Sequence, residues 1–280
     1  MQNHKKTTRY RVVFLCKILR PLCSKMKLFH KIYANPDSTE YLFILHGLFG
    51  MLDNWHNMAR KLSAHFNVVT VDQRNHGQSP HSNAMSFDLM AEDLAELMNH
   101  LGVEKAHVLG HSMGGKVVMK FADLHPDKIE KLIVVDIAPK KYTPGHTAYF
   151  KAFNTIDFSK CETRKEADTA LAEIESNMGV RQFLLKNLDK AEVGYTLKFN
   201  LGPIEAFYPT MIDAMLFQWI ISLPTLFIYG EKSGYITEDD MLKIAETFTD
   251  SEFIGISDAG HWVHAEQPKA FEDVVLAFLM

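Results

Sequence analysis

The sequence predicts an α/β architecture: a mostly parallel sheet flanked by helices, with a helical lid inserted between two late strands. Three observations predict it. From residue 41 onward, short apolar runs ending in turn residues recur along the chain. Segments of helical period separate them. Over residues 139–221 this alternation lapses, and it then resumes. Apolar strands spaced by helices describe parallel strands covered on both faces.

Each element follows in order. Residues 41–47 (YLFILHG) form a continuous apolar run ending in glycine, a buried strand, and Asp53–His65 read as a helix. Residues 67–72 (NVVTVD) are the next strand. Ser86–Leu101 carry Phe87, Met90, Leu94, Leu97 and Leu101 on one helical face. A strand at 105–110 runs directly into a helix over Met113–Leu124, and 131–138 (KLIVVDIA) make another strand. Inside 139–221 there are helical pieces, Arg164–Asn177 and Arg181–Leu188, and no convincing core strand. The sheet returns at 223–230, followed by a helix over Asp239–Phe248, a strand at 251–257 and a closing helix over Pro268–Leu279. The insertion leaves the carboxyl edge of the sheet, where it is placed to cover a site.

Composition narrows the function. The 280 residues suit one large α/β domain over 26–280, and hydrophobic residues at 47% allow a sizeable core. Net charge is −4, unevenly spread: residues 1–27 hold eight Lys or Arg and no acid, and the remainder is acidic. An acidic body argues against nucleic acid as a partner. The apolar stretch Val12–Cys16 is too short to span a bilayer, so no stable membrane insertion is expected. Residues 1–25 read as an upstream extension before a second start at Met26, with a basic surface anchor as the alternative. Cys16, Cys23 and Cys161 form no C-x-x-C pair, and a sparse, odd set fits a reducing cytoplasm. No pattern in the chain specifies an oligomeric state.

The chemistry centres on Gly110-His111-Ser112-Met113-Gly114, a G-x-S-x-G match lying between a strand and a helix. That context lifts a serine hydroxyl onto a tight turn at the sheet edge, and the turn needs small residues two before and two after. The N–H of Met113, at the helix start, can then meet a developing oxyanion. A serine hydroxyl needs a base, and His261 stands on a Gly-bearing loop after the last strand. His264 makes His-x-x-His with it, but no third ligand cluster accompanies the pair, so no metal is expected. The second oxyanion donor should come from His46-Gly47-Leu48-Phe49-Gly50, with the N–H of Leu48 first and Phe49 as fallback. His46 reads as a structural residue holding that loop.

The base needs an orienting carboxylate. After the strand at 223–230, Ser233 stands where this acid would be sought, and Glu231 directly follows Gly230. One strand earlier, Asp136 ends an apolar run, where a charge must be paired. Asp136 is therefore the expected acid, with Glu231, Asp239 and Asp240 as alternatives. Ser233 is then an accessory hydrogen-bond partner of His261 or Asp136. In the turn Asp72–Ser79, Asp72 and Arg74 can pair and brace the neighbouring loop. Trp262, Trp219, Phe207 and Phe217 read as packing, some lining an acyl pocket.

Together these residues resemble the α/β-hydrolase superfamily, and within it the YbfF-type bacterial esterases. The likeness runs through residues 46–50, 52–54, 72–77, 110–116, 135–139 and 260–266 and spans about residues 26–280. It implies a carboxylesterase acting on acyl esters, and also on acyl-CoA thioesters, under a helical lid. It also implies an aspartate matching Asp136 and a serine matching Ser233. The expected reaction is acyl transfer through an acyl-serine, with a small-molecule ester or thioester as substrate and no metal or organic cofactor. A basic mouth for CoA phosphates, drawn from Lys140, Lys141, Lys186 and Lys190, would favour the thioesterase. The alternative of another class is a non-catalytic ligand-binding homologue.

Overall fold

The computed structural model describes residues 26–280. The expectations about residues 1–25 and about Cys16 and Cys23 lie outside the described residues. Seven strands form one sheet: β1 (His30–Tyr33), β2 (Tyr41–Leu45), β3 (Asn67–Val71), β4 (Ala106–His111), β5 (Ile129–Val135), β8 (Thr225–Gly230) and β9 (Ser251–Ile256). Their spatial order is β1-β3-β2-β4-β5-β8-β9. Only β1 runs antiparallel to its neighbour, so the sheet is mostly parallel, as the sequence predicts. The short β1, at the sheet edge, was not expected: its four residues are half-exposed and carry no buried apolar run.

The strands alternate between two cores, because successive side chains point to opposite faces. Phe43, Leu45, Val69, Val108, Val134 and Phe227 face one core. Leu42, Ile44, Val68, Leu109, Ile133 and Ile228 face the other. The first core is covered by α2 (Phe87–His100), α3 (Met113–Leu124) and α8 (Glu238–Thr247). The second is covered by α1 (His56–Leu62) and α10 (Pro268–Leu279). Helix starts follow local chemistry: the Ser86 hydroxyl accepts the Leu89 N–H at α2, and Thr237 with Asp240 forms a capping box at α8.

Between β5 and β8 the chain leaves the sheet. It forms α4 (Thr147–Thr155), α5 (Arg164–Ala172), α6 (Met178–Leu185), a hairpin of β6 (Leu188–Lys190) and β7 (Tyr195–Leu197), and α7 (Leu201–Met211). The expected helix over 164–177 stops early, and α6 starts before residue 181, for one reason. The Asn177 side chain accepts the N–H groups of Gly179 and Val180, capping a new helix. The segment packs down on the loop after β2. Phe49 lies between Phe150, Phe153 and Phe199 at ring distances of 5.2, 5.3 and 5.2 Å, and Asn187 donates to its carbonyl. No helix among the described residues is long and apolar enough to cross a membrane.

Candidate active site

Parallel strands deliver their carboxyl ends to one edge of the sheet. The loops after β2, β4, β5, β8 and β9 carry Leu48, Ser112, Asp136, Ser233 and His261 in that spatial order. The turn at Ser112 is strained, with φ of 53° and ψ of −117° at a residue that has a Cβ. It closes because Gly110 and Gly114 lack side chains. A Cβ on Gly110 would lie 2.2 Å from the Gly114 carbonyl oxygen, and one on Gly114 would lie 2.5 Å from that of Leu45. The Ser112 hydroxyl meets Nε2 of His261 at 3.0 Å.

On its other side, His261 donates from Nδ1 to Oδ2 of Asp136 at 2.7 Å. Asp136 is fully buried, and β5 ends one residue before it, short of the expected strand end at 138. Its φ of 49° turns the carboxylate out of the strand. Two further donors satisfy that carboxylate: the Gly230 N–H on Oδ1 at 3.0 Å and the Ser233 hydroxyl on Oδ2 at 2.5 Å. Ser233 thus pairs with Asp136 and not with His261. The alternative acids lie elsewhere: Glu231 accepts from Ser257, and Asp240 holds Lys140 and caps α8. Asp239 is exposed on the first turn of α8.

The N–H groups of Leu48 and Met113 carry no hydrogen bond among the described residues, so both are available beside Ser112. His46 holds its loop as a neutral brace: it donates from Nδ1 to the Gly47 carbonyl at 2.8 Å and accepts the Gln73 N–H at 3.0 Å. Burial pushes its imidazole down to about 3. The expected Asp72–Arg74 pair does not form. Arg74 makes a bidentate pair with Asp93 of α2 at 2.6 and 2.7 Å, while Asp72 accepts the N–H groups of Leu52 and Gln78. A carboxylate matching the planar guanidinium fork displaces the nearer one in sequence.

Several neighbours were not singled out from the sequence. Tyr235 stacks flat on His261, ring centres 4.0 Å apart. His111 donates to the His261 carbonyl at 2.8 Å. His146, on the insertion, holds the Tyr208 hydroxyl, and burial pushes it down to about 4. Tyr235 stands two residues past Ser233 and His111 lies inside the G-x-S-x-G match, whereas His146 carries no local signal. His264 stacks on Trp55 at 3.9 Å, and no cluster of three metal-binding side chains occurs among the described residues. The four lysines do not share one mouth. Lys140 and Lys141 face Asp240 and Asp213, Lys190 donates to the Glu162 carbonyl, and Lys186 alone borders the larger cavity at Ser112. Trp219, expected to pack, is exposed.

The family model of the α/β hydrolase fold matches residues 41–268. The chain belongs to the α/β-hydrolase family. Its similarity narrows further to hydrolases of the esterase and lipase type. It is 36% identical to Esterase YbfF of Escherichia coli, over 88% of this chain and 95% of that one. It is 38% identical to the sn-1-specific diacylglycerol lipase ABHD11 of Danio rerio, over 87% of this chain and 79% of the relative. Among solved structures, a marine microorganism esterase superposes with a TM-score of 0.88 at 43% identity, covering 91% of this chain and all of that one.

Proposed function

We propose that the protein is a carboxylesterase that works through an acyl-serine intermediate, with Ser112 as nucleophile, His261 as base and Asp136 as the acid that orients it. The observation that carries this reading is the continuous row from Asp136 through His261 to the Ser112 hydroxyl, at 2.7 and 3.0 Å. Ser112 Oγ attacks the ester carbonyl carbon while its proton passes to His261 Nε2. The carbonyl oxygen becomes an oxyanion against the N–H groups of Leu48 and Met113, donors of a kind worth roughly 10²–10³ in rate each. The carbon–oxygen bond to the alcohol breaks as His261 returns the proton to the leaving oxygen. Water, deprotonated by His261, then releases the acid and restores Ser112. Ser233 and the Gly230 N–H hold the Asp136 carboxylate in line.

The relatives' names share ester hydrolysis, which fits this chemistry. An acyl-CoA thioester would use the same atoms, but the lysines expected to hold its phosphates do not gather at one cavity: Lys186 borders the larger one and Lys140 and Lys141 border the second. Cys161 is free and buried, in keeping with a cytoplasmic setting. A fluorophosphonate should add covalently to Ser112, read by peptide mass, and Ser112→Ala should abolish both the adduct and p-nitrophenyl ester hydrolysis. Asp136→Asn should lower kcat by roughly 10⁴, the scale set by the same exchange in a serine protease triad. An unlabelled Ser112 in the wild type, or near-wild-type turnover by Asp136→Asn, would overturn the assignment.

A further inference from the structure

Two cavities open on Ser112, one of about 520 Å³ that His261 borders and one of about 440 Å³ that Met113 borders. Gly145 and His146, just before α4 of the insertion, border both, together with Leu48, Ser112 and Tyr235. His146 thus stands with Ser112 where the two cavities meet. Its imidazole is close enough to that of His261 for a charge on the one to disfavour a charge on the other.

We propose that His146 is a specificity-determining residue: its Nε2–H donates to a second acceptor oxygen on the substrate. The preferred ester then carries an ether, carbonyl or hydroxyl oxygen within a few bonds of the scissile carbonyl. The proposal rests on the reading of Ser112 and His261 given above and adds the class of substrate to it.

The hydrogen bonds around Tyr208 fix which imidazole nitrogen carries the proton. A phenol hydroxyl has one proton to give and two lone pairs to offer. The backbone N–H of His146 donates to the Tyr208 oxygen at 2.9 Å, and that of Gly145 reaches the same oxygen. With both lone pairs taken, the hydroxyl proton goes to Nδ1 of His146 at 3.2 Å, the partner left to it among the described residues. Burial pushes the His146 imidazole down to about 4, and the neighbouring His261 acts in the same direction. Near neutral pH the ring therefore holds a single proton, and that proton is on Nε2. This nitrogen has no hydrogen bond among the described residues and is not sealed from solvent. A bare hydrocarbon chain that displaced its water would leave the donor unpaired, whereas a substrate oxygen would pair it. Tyr208 acts through His146, so it is a positioning residue. The Tyr149 hydroxyl, by contrast, is spent on Glu175 at 2.5 Å, and that of Tyr142 on the Tyr235 carbonyl at 3.0 Å.

Matched esters read this contact. As p-nitrophenyl esters, methoxyacetate is compared with butyrate and β-methoxypropionate with pentanoate; as acetates, methoxyethanol is compared with butanol. Each pair differs by an ether oxygen in place of a methylene, and the intrinsic reactivity of the esters cancels when their ratio is compared between enzymes. In at least one pair, His146→Phe should lower the ether-to-methylene ratio of kcat/KM by roughly three- to tenfold, the scale of one lost hydrogen bond. His146→Leu replaces it should the phenylalanine variant fail to fold. His146→Gln, whose amide carries an N–H at a similar reach, should restore part of the ratio. A purely structural histidine would lower both members of each pair alike, so ratios unchanged in every pair overturn the proposal. Fluorophosphonate labelling run in parallel tells the failures apart: a labelled protein with unmoved ratios overturns only the His146 contact, whereas an unlabelled wild type overturns the serine reading itself.

Discussion

Ser233 illustrates how much one hydroxyl can decide. It donates to the carboxylate oxygen of Asp136 that also accepts the hydrogen bond from His261 Nδ1, and it accepts the Tyr235 N–H. A hydrogen bond to a charged group is worth about 1.5–3 kcal/mol. Ser233→Ala should therefore lower kcat by roughly tenfold or more, leave KM nearly unchanged, and be largely restored by Ser233→Thr. A purely structural serine would instead lower thermal stability with kcat intact. Asp136 and Ser233 share one difficulty when read from sequence. The first ends an apolar run and the second sits in a turn, and neither local pattern says which donor meets which oxygen. Arg74 shows the same effect: its partner, Asp93, lies on α2, and only packing brings the two together.

At the scale of elements, the turn between β4 and α3 is held open by missing side chains. A Cβ on Gly114 would meet the backbone oxygens of Leu45 and His46 at 2.5 and 2.6 Å. Backbone atoms of a central strand cannot step aside as a side chain can. Gly114→Ala should cost about 2 kcal/mol or more, on the scale of overpacking a close contact, and displace α3 from β2. Chemical denaturation measures the loss; a variant within a few tenths of wild type would show that the contact relaxes freely. The glycine spacing was legible in the sequence for this steric reason. The bracing of the loop after β2 was not: Phe49 finds its aromatic neighbours in α4 and beyond β7, elements of the insertion.

The whole molecule concentrates neutral histidines around the site. Burial pushes His46 and His264 down to about 3, and His76 and His146 to about 4. An ordinary imidazole titrates near 6.5. Below that value the unfolded chain binds protons that the folded protein refuses, so the stability these groups contribute is complete above pH 6.5 and falls as the solution is acidified. For His264 the loss between pH 7 and pH 5 is about 2 kcal/mol. Urea titrations at the two pH values should therefore show His264→Gln losing about 2 kcal/mol less than wild type over that interval, whatever its stability at pH 7. Equal losses would place the His264 imidazole in its ordinary range.

By itself the sequence determined the succession of strands and helices, the parallel sheet and the tight turn at Ser112. Those follow from side-chain period and from contacts too close for a Cβ, both written within a few residues. The tertiary structure decided the company each site residue keeps. His261 lies 125 positions from Asp136 and 149 from Ser112, and their meeting depends on the strand order β4-β5-β8-β9 laying four carboxyl ends side by side. It also decided that two cavities, not one, open on the Ser112 hydroxyl, because the insertion is held against the sheet edge by contacts that no local pattern encodes.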